Sequence, residues 1–170
     1  MRMRIATSLL LSVGLGCPAI ALHAQSAPTM GAYQFGDGVH PTFDATFTDA
    51  EARTVESFWK DELRSVSVKV TDKKEMIGEA ARIPAATSDT LRILIKVEKP
   101  KGATTVTAHI AFLTTGGYVA PDSPKRVLDG CTAWVQQGMV TLQKQVAQKD
   151  LEDGQRALTR QEDRLDDMKR

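Results

Sequence analysis

Residues 89–113 read DTLRILIKVEKPKGATTVTAHIAFL, and the fold follows from the spacing of their apolar positions. Leu91, Ile93, Ile95 and Val97 alternate with Arg92, Lys96 and Glu98, and Leu94 alone breaks the pattern. A period of two belongs to a strand with one buried face. Beyond Pro100 and Gly102 the same period resumes through Val106, Ala108, Ile110 and Phe112. The stretch therefore predicts an antiparallel hairpin with one face on the core.

Upstream of the hairpin the period changes twice. VSVKV alternates through Val66, Val68 and Val70 and predicts a strand, followed by the polar turn TDKKE and by MIGEAARIPA. Ahead of it Ala52, Val55, Trp59 and Leu63 recur near 3.6 and predict an amphipathic helix. Thr48 and Glu51 stand at the spacing of a capping box for its first turn. Lys60 to Leu63 spell KDEL, a retrieval address only at a free C-terminus; here it falls inside the helix. Asp61 and Glu62 are neighbours on that helix and point apart, which argues against a carboxylate pair for acid and base work. VHPTFDATF places Phe43, Ala45 and Phe47 on one side and predicts a short first strand, with Pro41 at its start or on an edge. Residues 25–38, QSAPTMGAYQFGDG, lack sustained periodicity and are expected to form a flexible leader.

Downstream, the loop TTGGYVAPDSP leads to Ser123 and Pro124, which suit a helix cap and a first helical position. The helix that follows carries an apolar line through Leu128, Cys131, Val135, Gly138 and Leu142, with Trp134 beside it. From Lys149 to Arg170 thirteen of twenty-two residues are charged, and one thin line remains: Ala147, Leu151, Gly154, Leu158, Gln161, Leu165 and Met168. Steps of four and three are heptad spacing, so Leu151, Leu158, Leu165 and Met168 form a candidate association helix. The order of elements predicts an α+β fold, an antiparallel sheet of about four to five strands with one N-terminal helix and one long C-terminal helix that extends beyond the core. Residues 39–148 form the expected domain and 149–170 a charged helical extension.

The first 24 residues read as a secretory signal peptide. Arg2 and Arg4 precede an apolar run from Ile5 to Leu15, and Ala19, Ala21 and Ala24 supply small residues for cleavage after Ala21 or Ala24. The run is too short to span a bilayer. Gly14 in GLGC, where a lipoprotein signal has an aliphatic residue, argues against a lipid anchor at Cys17. Removal of this segment leaves Cys131 as the only cysteine, so no internal disulfide can form. It also leaves 20 basic against 21 acidic residues, a near-neutral balance without the footprint of a nucleic-acid binder. The expected location is the periplasm or the medium, with no transmembrane segment in the processed chain.

No convergent catalytic set stands out. His40 precedes a proline and His109 sits in a strand; with Cys131 they lack metal-ligand spacing, and Cys131 lies on an apolar helix line where a thiol behaves as a small hydrophobe. No cofactor and no metal are expected. Gly116 and Gly117 lack the Lys and Ser or Thr of a phosphate loop, and with Tyr118 they form a candidate pocket mouth, Tyr118 either lying over it or packing on the sheet.

Several strings resemble a family of small exported bacterial proteins to which no activity is attached: Trp59-Lys60, the turn at Lys73, Lys74 and Glu75, Ile83 to Ala85, Gly116-Gly117 and the charged C-terminal helix. The resemblance runs from Phe43 to the C-terminus and implies export and an α+β fold. Two functions follow as expectations. The first is a non-enzymatic periplasmic or secreted interaction or assembly module, using the C-terminal helix to join another copy or an envelope partner. The alternative is a carrier of a small apolar ligand held between sheet and helix.

Overall fold

The computed structural model describes residues 27–169, so the signal-peptide reading and Cys17 lie outside the described residues. The chain order is β1 (Thr29–Phe35), β2 (Gly38–Thr48), α1 (Ala52–Val66), β3 (Lys69–Asp72), β4 (Met76–Ala81), β5 (Leu91–Glu98), β6 (Thr105–Thr114), β7 (Gly117–Tyr118) and α2 (Lys125–Lys169). The fold is α+β. Its antiparallel sheet runs β1-β2-β6-β5-β4-β3, with the two-residue β7 paired to β6.

The hairpin of residues 89–113 is the centre of this sheet, as its alternation requires. Ile93 pairs with Phe112 and Ile95 with Ile110, and all four side chains are buried on the face covered by α1 and α2. Trp59 from α1, Phe43 from β2, and Met139 and Leu142 from α2 complete that core. Two glycines let the helices approach closely. A Cβ at Gly130 would stand 2.3 Å from the Ala86 Cα, and one at Gly138 2.6 Å from the Trp59 ring.

The sheet has more strands than the four to five expected, and the leader reading of residues 25–38 is corrected over its larger part. Residues 29–35 pair with β2 from Thr29 opposite Asp44 to Phe35 opposite Gly38. Gly31, Ala32 and Gly36 dilute the alternation, and an edge strand is held by backbone bonds that periodicity does not report. Strand pairing thus starts at Thr29, ahead of residue 39. MIGEAA also pairs, as β4, with a bulge between Gly78 and Ala81 where Ala80 takes φ 52°.

Three local expectations are corrected. The strand read at Val66–Val70 starts at Lys69, because α1 continues to Val66, and Val68 is left exposed between them. The capping box does not form: Thr48 ends β2, Asp49 turns with φ 57°, and Glu51 occupies the cap position without a side-chain cap bond. Strand pairing of Thr48 with Thr105 holds it in the ladder. Ser123 does not cap α2; its hydroxyl accepts from the Ala120 N–H at 2.9 Å, while the Pro124 carbonyl accepts from Val127 and Leu128.

Opposite the helices, the β1–β2 hairpin folds over the second face of the sheet. β2 pairs with β6 only from Phe43 onward. Pro41, which has no N–H to offer a ladder, lies where β2 leaves. β7 takes the vacated place, with the Val119 N–H donating to the Phe112 carbonyl at 2.8 Å. The hairpin tip then covers Leu94: Phe35, Leu94 and Ala111 are buried together, with Tyr33 and Tyr118 packed beside them. The one apolar residue out of phase in β5 therefore faces a second, smaller core.

Candidate functional site

α2 has 45 residues, and only its first half belongs to the domain. Gly130, Cys131, Val135, Gly138, Met139 and Leu142 are buried and Val146 is partly covered. From Ala147 to Lys169 every residue is exposed, although the helix continues without a break. At 1.5 Å per residue this free arm is about 35 Å long.

On the arm Leu151, Leu158, Leu165 and Met168 are 62%, 57%, 51% and 75% exposed. Their line is not an overrun of the core-facing stripe. At 100° per residue Leu158 stands about 160° around the helix from Leu142, so the arm's apolar line faces away from the side that packs on the sheet. The remaining surface is laced by short-range pairs: Arg156 with Glu152 at 3.8 Å and with Asp153 at 3.5 Å, and Lys169 with Asp166 at 3.5 Å. Such pairs support an exposed helix by tenths of a kcal/mol each. Gly154 opposes it by about 1 kcal/mol relative to Ala, with nothing within 4 Å of a Cβ there.

Of Gly116, Gly117 and Tyr118, read as a pocket mouth, Gly116 lies in the β6–β7 turn and the other two form β7. Tyr118 packs on the sheet: its ring stacks on His40 at 3.7 Å between centroids, and its hydroxyl donates to Asp37 Oδ2 at 3.3 Å. The depression beside the turn measures about 270 Å³ and is lined by polar and apolar residues alike, among them Thr87, Asp89, Ser123, Val119 and Val127. A larger cleft, about 340 Å³, lies between α1 and the β3–β4 turn. Within it Lys60 pairs with Asp72 and Lys96 donates to the Lys74 carbonyl at 2.6 Å. The space between sheet and α2 is occupied by Trp59, Phe43, Phe112 and Leu142.

The histidines and Cys131 do not converge. His40 and His109 lie on the hairpin-covered face, and Cys131 lies in the helix-side core with its thiol pushed up to about 12 by burial. Among the described residues no group of three or more His, Cys, Asp or Glu side chains stands where it could hold a metal.

Instead, His40 and His109 each meet an aspartate, a pairing that sequence reasoning missed. His109 Nδ1 lies 2.9 Å from Asp44 Oδ1, and His40 Nε2 lies 2.9 Å from Asp37 Oδ1. Tyr33 stacks on His109 at 4.3 Å and its hydroxyl donates to Glu98. The rings of Tyr118, His40, Phe35, Tyr33 and His109 thus form a row along the hairpin. Burial is the largest single effect on the Asp44 carboxyl and works to raise it, but the hydrogen bonds with His109 and Thr42 and the charge of His109 together outweigh it and hold the group below its ordinary value. Asp37 is lowered likewise: burial, the largest single effect, raises it, but the bonds with His40, its own backbone and Tyr118 and the charge of His40 together exceed that. Burial and the bond to Glu98 raise the Tyr33 phenol to about 12. Among the described residues the second nitrogen of His109 has no side-chain hydrogen bond. What the row does is pin the hairpin tip, helped by the Gly36 N–H donating to Glu75 Oε2 at 3.0 Å. The spacing Asp37-x-x-His40 was a visible signal; the pair of Asp44 with His109 needed the β2–β6 register.

Comparison with protein-family models, with curated proteins and with solved structures finds no match for the chain. Among the described residues no helix is long and apolar enough to cross a membrane.

Proposed function

We propose that the protein is a non-enzymatic assembly module of the periplasm or medium, in which the C-terminal arm associates with another helix. The observation that carries this reading is the free arm, with Leu151, Leu158, Leu165 and Met168 exposed at heptad spacing on a face turned away from the protein's own core. A helix of this length and charge is marginal alone in water, and a partner that covers its apolar line would stabilise it. The carrier reading has less support, because the space between sheet and helix is filled by side chains. The order of charged, apolar and small residues in 1–24 supports export.

Two experiments test the proposal. Removal of Lys149–Arg170 from the chain beginning at Gln25 is expected to leave the thermal transition of the domain in place and to abolish concentration-dependent association in sedimentation equilibrium. An identical assembly state with and without the arm would overturn it. Fractionation of cells is expected to find a processed chain in the periplasm or medium, and an uncleaved chain confined to the cytoplasm would remove the export part.

A further inference from the structure

We infer that the occupant of the arm is a second copy of the same chain, paired antiparallel along the whole free length; this rests on the assembly reading above. Each layer of a two-helix contact is set by which heptad positions meet across it. In heptad terms Leu151, Leu158 and Leu165 are a positions, and Gly154, Gln161 and Met168 are d positions.

A parallel pair in register sets identical residues against each other. Gly154 would then face Gly154 and leave a hole, and Gln161 would face Gln161. The flanking contacts run from g of one helix to e of the next heptad on the other, so Arg164 would lie beside Lys169 twice, a like-charge contact on each side.

The antiparallel pair alternates a with d and changes every layer. With the two-fold axis between Thr159 and Arg160, Leu151 faces Met168 of the second copy, Gly154 faces Leu165, and Leu158 faces Gln161. Each of the six layers then contains one leucine, and the gap at Gly154 is filled by the largest available side chain. The flanks bring Ala157 beside Arg164 and Gln155 beside Glu162, with no like-charged pair among them. The isologous contact is closed, so it yields a dimer and not a filament.

Among the described residues this register keeps the most leucine layers clear of the domain. The last core-side contact is at Val146 and the described helix ends at Lys169. In the stated register Lys169 of one copy reaches the level of Asp150 of the other, at the root of its arm. A shift of one heptad inward would drive the tip against the domain. A shift outward would discard two of the six leucine layers.

Paired cysteines test orientation separately from association. Gly154→Cys and Leu165→Cys are both at exposed sites and leave the core untouched, while native Cys131 is buried with a raised thiol pKa. Each variant alone is expected to stay free of intermolecular disulfide under mild oxidation. An equimolar mixture is expected to yield the mixed disulfide dimer, identified by its mass. Homodisulfides from each variant alone, or a dimer by sedimentation with no disulfide in the mixture, would overturn the antiparallel register while leaving assembly through the arm intact. A full chain that is monomeric at every concentration would overturn both.

Discussion

The two halves of α2 share one helix and one backbone geometry, yet they are held by different forces. Up to Val146 the helix is held by burial: Cys131, Val135, Met139 and Leu142 are removed from water, and Gly130 and Gly138 set the distance to the loop at Ala86 and to Trp59. Beyond it the helix is held by propensity and by local charge pairs that contribute little each. An apolar residue on a helix therefore means core only when a surface stands opposite. Leu142 and Leu158 are the same residue type on one helix, and one is buried while the other is 57% exposed.

Truncating both leucines challenges this contrast most directly. Leu142→Ala should cost about 2–5 kcal/mol in denaturant unfolding, the range for a leucine removed from a packed core. Leu158→Ala should change unfolding of the isolated monomer by less than about 0.5 kcal/mol. Comparable losses at the two sites would show that the arm folds against its own domain.

Glycine substitution reverses sign along the same helix. Gly130→Ala should destabilise by about 1–3 kcal/mol, because its Cβ meets backbone that cannot move aside and this outweighs the helical gain. Gly154→Ala, with open space around it, should raise the helicity of the arm by far-UV circular dichroism. A stabilised Gly130→Ala variant would mean that the loop at Ala86 yields.

Smaller effects are expected from the hairpin-covered face. The chain has two tyrosines, both with raised phenols, so phenolate absorbance should lag that of the urea-unfolded chain above pH 10.0, with Tyr33 last at about 12. A raised folded value means stabilisation present below 10.0 and lost as the pH climbs through the folded value. Coincident titration of folded and unfolded chains would argue that the tip is not pinned. The acid side has the opposite sign. Asp44 and Asp37 are lowered from 3.8, so their contribution is present above that value and lost as the pH falls through the folded values. Asp44→Asn should therefore flatten the acid limb of the stability profile as the pH falls below 3.8. An unchanged acid limb would remove the role given to the His109–Asp44 bond.

Periodicity makes much of this architecture legible in the amino-acid sequence. Leu91 to Val97 and Val106 to Phe112 announce the central hairpin, Val55, Trp59 and Leu63 announce α1, and the charge shift at Lys149 announces the end of the buried half of α2. These elements are strongly amphipathic, so their burial pattern is written in their own residues. The strands β1 and β4 and the turn at Thr48–Glu51 are not legible in this way, because backbone pairing across the sheet holds them and side-chain periodicity does not record it.

Residue order alone dictates which positions alternate, where the helices lie, and that an apolar line persists along the charged arm. Folding in three dimensions was needed to give Leu94 its cover, to bring His109 to Asp44 and His40 to Asp37, and to turn the line through Leu151, Leu158 and Leu165 away from the protein's own core. Amphipathicity is a property of neighbouring residues in one segment, whereas a partner for a side chain is supplied by a distant segment, through strand register and the rotation of a helix about its axis.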